Sequence, residues 1–196
     1  MFNGTKRLAE PGQRDHSHDP KGGWYWVALR LLIVFVVALA MSIVEAATLE
    51  GKVVGVTDGD TITVLDHENT QYQVRLGGID APEKRQAFGT KSKQSLAELV
   101  FDRQVSVEWR KKEQYKRLIG TIILDGQDIN LLQVERGMAW HYKAYAREQP
   151  KAEREGYVAA EVLARLERRG LWRDDLPGEP WEHRKARRPQ RPPIIE

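Results

Sequence analysis

The stretch Asp58-Gly59-Asp60-Thr61-Ile62-Thr63-Val64-Leu65 is followed, after a polar turn at Asp66–Thr70, by Gln71-Tyr72-Gln73-Val74-Arg75-Leu76. Side chains alternate between the two sides of a strand, so Ile62 and Val64 share one face. In the second run Tyr72, Val74 and Leu76 share a face and Arg75 points to the other. Asp58-Gly59 is a strong hairpin-turn dipeptide, which makes the Val-rich run Leu49–Thr57 the preceding strand. Further along, Phe88–Val100 has helical spacing, with Leu96, Leu99 and Val100 apolar. Two more strands follow: Gln104–Trp109, with Val105, Val107 and Trp109 expected inward, and Arg117–Leu124, closed by Asp125-Gly126. Ile129–Glu135 reads as a short helix capped by Asp128. Lys151–Arg169 reads as a longer one, with Val158, Val162 and Leu166 one turn apart and Gly170 ending it.

Five short strands, with one helix inserted and two at the end, predict an α+β domain: a small closed β-barrel with three helices. The oligonucleotide-binding barrel, or OB-fold, is such an architecture. A length of 196 residues suggests one domain plus appendages. The expected divisions are a disordered polar segment at 1–23, an apolar segment at 24–47, the folded domain at 48–176 and a basic, Pro-rich tail at 177–196. The balance of 31 basic against 28 acidic residues, net +3, is too weak to imply nucleic acid by itself. Arg184, Lys185, Arg187, Arg188 and Arg191 cluster in the tail among Pro189, Pro192 and Pro193. They read as a solvated, irregular terminus that could add salt-sensitive phosphate affinity. Trp172 and Trp181 are expected to pin its beginning to the domain. Cysteine is absent, which excludes disulfides, a thiol nucleophile and cysteine-ligated zinc.

Leu31–Val44 is apolar apart from Ser42, with Arg30 before it and Val44-Glu45-Ala46-Ala47 after it. As a helix it spans about 21 Å, short of a hydrocarbon core of roughly 30 Å. That length suits the apolar region of a secretory signal peptide cleaved near Ala46 or Ala47. Trp24-Tyr25-Trp26 supports the other reading, an uncleaved anchor running from Trp24. Both place the domain outside the cytoplasm, in the periplasm or medium if cleaved and on the membrane if not. His16 and His18 lack further ligands and read as solvated.

Charged patches recur in order: Asp58-Gly59-Asp60-Thr61, Arg75, Asp80-Ala81-Pro82-Glu83 and Arg117. Each alone has a bland reading: a turn, an exposed strand residue, a strand end with a proline turn. Together they suit a phosphodiester. Carboxylates can hold a divalent cation, and the cation with two guanidiniums can neutralise a phosphate in its five-coordinate transition state. Tyr115, Trp140 and Tyr145 taken alone fit core or rim aromatics better than base-stacking platforms. His67 and His141 have no obvious partner and no assigned role.

The order Asp-Gly-Asp-Thr, Val-Arg-Leu, Ile-Asp-Ala-Pro-Glu and a later Tyr-x-Arg resembles the staphylococcal-type nuclease (thermonuclease) family, over roughly Leu49 to Trp172. The resemblance implies an OB-fold barrel and calcium-dependent hydrolysis of DNA and RNA that leaves 3′-phosphate ends. It places the metal on the carboxylates of Asp60 and Asp80 and the backbone carbonyl of Ala81. Glu83 takes the position beside the attacking water, and Arg75 and Arg117 those of the phosphate-binding arginines. Tyr115 and Tyr145 fall at substrate-contacting positions. The family usually shows Asp-x-Tyr-Gly-Arg; here Glu113-Gln114-Tyr115-Lys116-Arg117 stands, with Lys116 in place of the glycine. The expectation is an exported, monomeric nuclease with calcium as cofactor. The rival is a non-catalytic, membrane-tethered OB-fold module that binds nucleic acid without cutting it.

Overall fold

A computed structural model describes Arg30 and residues 47–112 and 117–187. The chain divides into two compact units, Met1–Glu45 and Ala46–Glu196. Apart from Arg30 and Ala47, the apolar segment 24–47 lies outside the described residues, as do Tyr115, Lys116 and the tail beyond Arg187. Among the described residues no helix is long and apolar enough to cross a membrane.

The second unit is built on a closed barrel. Strand β1 (Ala47–Val56) pairs antiparallel with β2 (Thr61–Leu65), setting Val53 opposite Val64 and Val56 opposite Ile62, with a register shift between Val53 and Gly55. β2 continues into β3 (Gln71–Leu76), with Ile62 opposite Val74 and Thr61 opposite Arg75. The other edge of β1 pairs with β5 (Gln104–Lys112), and β5 with β6 (Arg117–Leu124). β6 then returns parallel to β3, Val74 beside Leu118, which closes five strands on themselves and removes the open edges. This is the expected OB-type barrel.

The alternation read from the sequence is what fills it. Val53, Ile62, Val64, Val74, Leu76, Val105, Val107, Leu118 and Ile122 are all buried on the barrel interior. Short strands β4 (Ile79–Asp80) and β8 (Trp140–His141) pair outside the main sheet, and β7 (Gln127–Asp128) extends it. Helix α1 (Gly89–Val100) lays Leu96 and Val100 on the core. Helix α2 (Ile129–Glu135) is capped by Asp128, whose side chain accepts from the Leu131 N–H at 2.9 Å.

Two expectations need correction. In α3 (Lys151–Leu166) the stripe Val158, Val162 and Leu166 faces solvent, with Leu166 75% exposed; the buried face is Tyr157, Ala160, Glu161 and Ala164. Small residues let this helix approach α2 closely, whereas β-branched ones would hold it off. The tail that begins at Pro177 is also not wholly irregular. Pro180–Ala186 forms a fourth helix, α4, with proline in its first turn and His183, Arg184 and Lys185 in its last, a distribution that complements the helix dipole. Its Trp181 stacks on Tyr142 and meets Trp140 edge-on, which fulfils the expected pinning.

Candidate active site

The hairpin between β1 and β2 delivers Asp60 into the fold rather than out of it. Thr57 N–H bonds to the Thr61 carbonyl at 2.8 Å, and Leu76 N–H to the Asp60 carbonyl at 2.8 Å. Gly59 is there for close approach: a Cβ at that position would lie 1.8 Å from Ser92 Oγ and 2.8 Å from the Ala81 Cβ. The Asp60 carboxylate is consequently buried, 3% exposed. Its Oδ1 accepts from the Thr61 hydroxyl at 3.1 Å and its Oδ2 from the Ala81 N–H at 2.9 Å, which ties the Asp80–Glu83 loop to the hairpin. Gly78, at φ +73°, turns the chain so that Ile79-Asp80 can pair with β8.

Arg75 joins the two carboxylates. Its Nη2 donates to Asp80 Oδ1 at 2.8 Å and stands 3.4 Å from Asp60 Oδ2, while Nη1 donates to Asp60 Oδ1 at 3.4 Å. Asp80 is completely buried. Arg117 sits opposite Gln73 on the parallel neighbour of β3, two residues from the level of Arg75, and both arginines line one cleft of about 540 Å³. Glu83 and Tyr145 line the same cleft, Tyr145 being half exposed. Six of the eight residues singled out from the sequence (Asp60, Arg75, Asp80, Ala81, Glu83, Arg117) are thus gathered around β2, β3 and β6. Tyr145 stands at the rim, and Tyr115 lies outside the described residues.

Burial and opposite charges set the electrostatics of the cleft. Burial pushes the Asp60 carboxyl up to about 7, opposed by the Arg75 charge and the Ala81 N–H and reinforced by Asp58 and Asp80. Burial also works against the Arg75 charge, but Asp60 and Asp80 outweigh it and raise its pKa. Asp80 and Glu83 share a second guanidinium. Arg184 of α4 donates from Nη1 to Asp80 Oδ1 at 3.1 Å and to Glu83 Oε1 at 2.8 Å, and from Nη2 to Asp80 Oδ2 at 2.6 Å. These bonds to Asp80 and Glu83 raise the Arg184 pKa. A cationic head drawn onto these carboxylates is the observation that fits them to a metal. The donors are all oxygen, which suits a hard cation. Among the described residues no three carboxylate or imidazole side chains form a complete cage, so backbone carbonyl, water and substrate oxygens would fill the remaining positions.

Sequence reasoning missed three contributors. Asn130 and Gln133, both fully buried on α2, hold the site's backbone. Asn130 Nδ2 donates to the Gly77 and Gly120 carbonyls, each at 3.0 Å, and its Oδ1 accepts from the Ile122 N–H at 3.1 Å. Gln133 Nε2 donates to the Gly59 carbonyl at 3.0 Å, next to Asp60. Two amides three apart on the inward face of a short amphipathic helix were the available signal. Arg184, in a segment read as solvated, is the third. His141, given no role, is a buried structural residue whose Nε2 pairs with Gln149 Oε1 at 2.9 Å.

A closed five-stranded barrel with buried carboxylates bridged by an arginine defines an OB-type protein with a charged cleft. Residues 73–174 match the model of the staphylococcal nuclease homologue family. The chain is 39% identical to a protein of Haemophilus influenzae described as an uncharacterised endonuclease, over 79% of this chain and 82% of that one. It is also 39% identical to the micrococcal nuclease of Shigella flexneri, over 81% and 93%, and to protein ParB of Escherichia coli, over 76% and 88%. The chain belongs to the staphylococcal nuclease family. It is, in that class, a hydrolase acting on phosphodiester bonds.

Proposed function

We propose that this protein is an exported nuclease that cleaves DNA and RNA with calcium and leaves 3′-phosphate ends. The observation that carries the reading is the bridge from Arg75 to both Asp60 and Asp80, in a cleft shared with Glu83 and Arg117. A phosphodiester is an anion that repels a nucleophile, so the site must offset that charge and aim a water in line. Asp60 and Asp80, with the Ala81 carbonyl, would hold the calcium, which supplies Lewis acidity to a phosphoryl oxygen. Arg75 and Arg117 present fork-shaped donors to the equatorial and departing oxygens. Glu83, part-exposed at the cleft, orients or deprotonates the water. Tyr145, and Tyr115 by its position in the sequence, contact the substrate beside the scissile bond.

Export rests on the apolar run Leu31–Val44 with its basic flank and small residues at Ala46 and Ala47. Amino-terminal sequencing of protein recovered outside the cytoplasm tests it: a start near Ala47 supports cleavage, and an intact membrane-bound chain supports the anchor. The activity is tested with plasmid DNA and with RNA, in calcium and then in excess chelator. Cleavage that persists undiminished in chelator overturns the metal assignment. Binding without cleavage under every condition leaves the non-catalytic binding module instead.

A further inference from the structure

We infer that Arg184 is a third substrate guanidinium of this site: it occupies the carboxylates while they lack a metal and passes to the phosphodiester when a divalent cation takes Asp80. The inference rests on the metal reading above and deepens it. Both oxygens of Asp80 are engaged by guanidinium nitrogens, Oδ1 by Arg75 and Arg184 and Oδ2 by Arg184 at 2.6 Å. Two of the three guanidinium bonds on Asp80 come from Arg184, and a divalent charge placed on that carboxylate repels this guanidinium and competes with it for the oxygens. Glu83 loses its partner in the same movement, which frees its carboxylate for a water.

Displacement does not require α4 to leave. Pro180 is buried, Trp181 stacks on Tyr142 at 5.7 Å between ring centroids, and Gln86 Nε2 bonds to the Gly178 carbonyl. The helix stays docked while the long arginine stem, whose side chain is 37% exposed, has room to swing. Its cleft already contains Arg75 and Arg117. Arg184 lies close enough to Arg75 for the two charges to repel. With formal charges, Asp60, Asp80 and Glu83 against Arg75, Arg117 and Arg184 cancel; a bound divalent ion leaves two positive charges. The cleft then carries a net positive charge, and a freed guanidinium finds two phosphodiester oxygens that match its two-pronged donors. Bound metal thus strengthens the pull of the cleft on nucleic acid.

Two equilibrium measurements on the full chain, neither depending on turnover, test this in the parent, Arg184→Ala and Arg184→Lys. The first is calcium binding by titration calorimetry. The second, in saturating calcium, is binding of a phosphorothioate oligonucleotide, which keeps the charge and resists cleavage. Arg184→Ala should bind calcium about tenfold more tightly, since a charge-assisted competitor is gone, and the oligonucleotide about tenfold more weakly. Arg184→Lys keeps a charge but cannot span Asp80 and Glu83, and should fall between. Thermal melts of all three establish that the fold is kept. Equal calcium affinity in parent and Arg184→Ala overturns the inference while leaving the metal reading intact, and equal oligonucleotide affinity overturns it by reducing Arg184 to a counter-ion. Failure of every chain to bind calcium sinks the metal reading itself, and the inference with it.

Discussion

Asp60 is a buried carboxylate beside two other aspartates, Asp58 and Asp80. Its folded-state pKa, pushed up to about 7, lies above the ordinary 3.8. The protonated form is therefore the one the metal-free fold favours. That contribution is fully present below about pH 4 and is lost as pH rises through 7. In chelator, the stability difference between Asp60→Asn and the parent should grow in favour of the variant from pH 4 to 7, as read by thermal melts. The same proton competes with a cation, so calcium affinity of the parent should fall by up to about tenfold per pH unit below 7 and be flat above it. Calorimetry at pH 6, 7 and 8 checks this; a flat profile would remove Asp60 from the metal site. Glu83 and Arg75 belong to the reaction itself. Glu83→Gln should keep fold and oligonucleotide affinity while losing at least about 100-fold in single-turnover rate. Arg75→Lys keeps the charge but not the reach to both Asp60 and Asp80, so its rate should fall well beyond its binding.

Helix α2 shows how one short element places a site it does not enter. Asn130 satisfies the carbonyls of Gly77 and Gly120 and the Ile122 N–H at the point where β3 and β6 close the barrel. Removing it leaves three buried backbone groups without that partner. Asn130→Ala should cost about 1–3 kcal/mol in urea denaturation and lower cleavage as well, because Arg75 and Asp80 flank Gly77. Helix α3 gives the contrasting case. Val162 is 48% exposed on a face the sequence pattern had marked as apolar, so Val162→Glu should change stability by no more than about 0.5 kcal/mol. A large loss there would mean that this face is covered in the working protein.

Across the whole domain, a second small core of Trp140, Ala164, Leu171 and Trp172, with Phe88 and Trp181 against it, joins the chain's last third to the barrel. Arg165 lies over Trp172 at 4.0 Å from the ring centroid and over Trp140 at 5.0 Å. This cluster orients the Arg184-bearing helix, which makes the site a composite of the barrel and the carboxy-terminal segment. Trp181→Ala removes two aromatic pairs worth about 0.5–1.5 kcal/mol each. Trypsin should then cut between Arg173 and Lys185 about tenfold faster than in the parent, with the barrel still resistant. Unchanged cleavage would show that the segment is held by other contacts.

The strand pattern by itself pointed to the barrel, because alternation at Ile62, Val64, Val74 and Leu76 admits one buried face and rules out one-residue slips. The order of the charged patches also marked Asp60, Arg75, Asp80, Glu83 and Arg117, since each sits in or beside a short alternating apolar run. Only the tertiary structure decided which face of α3 is buried, where close approach to α2 favours Ala160 and Ala164 over the larger Val158 and Val162. It alone showed that Asn130 and Gln133 support the site, and that Arg184 reaches Asp80 from 104 residues away. A contact of that separation leaves no periodic trace in the chain. It exists because Trp181 packs on Trp140 and Tyr142, which the pairing of β8 with β4 sets beside Asp80.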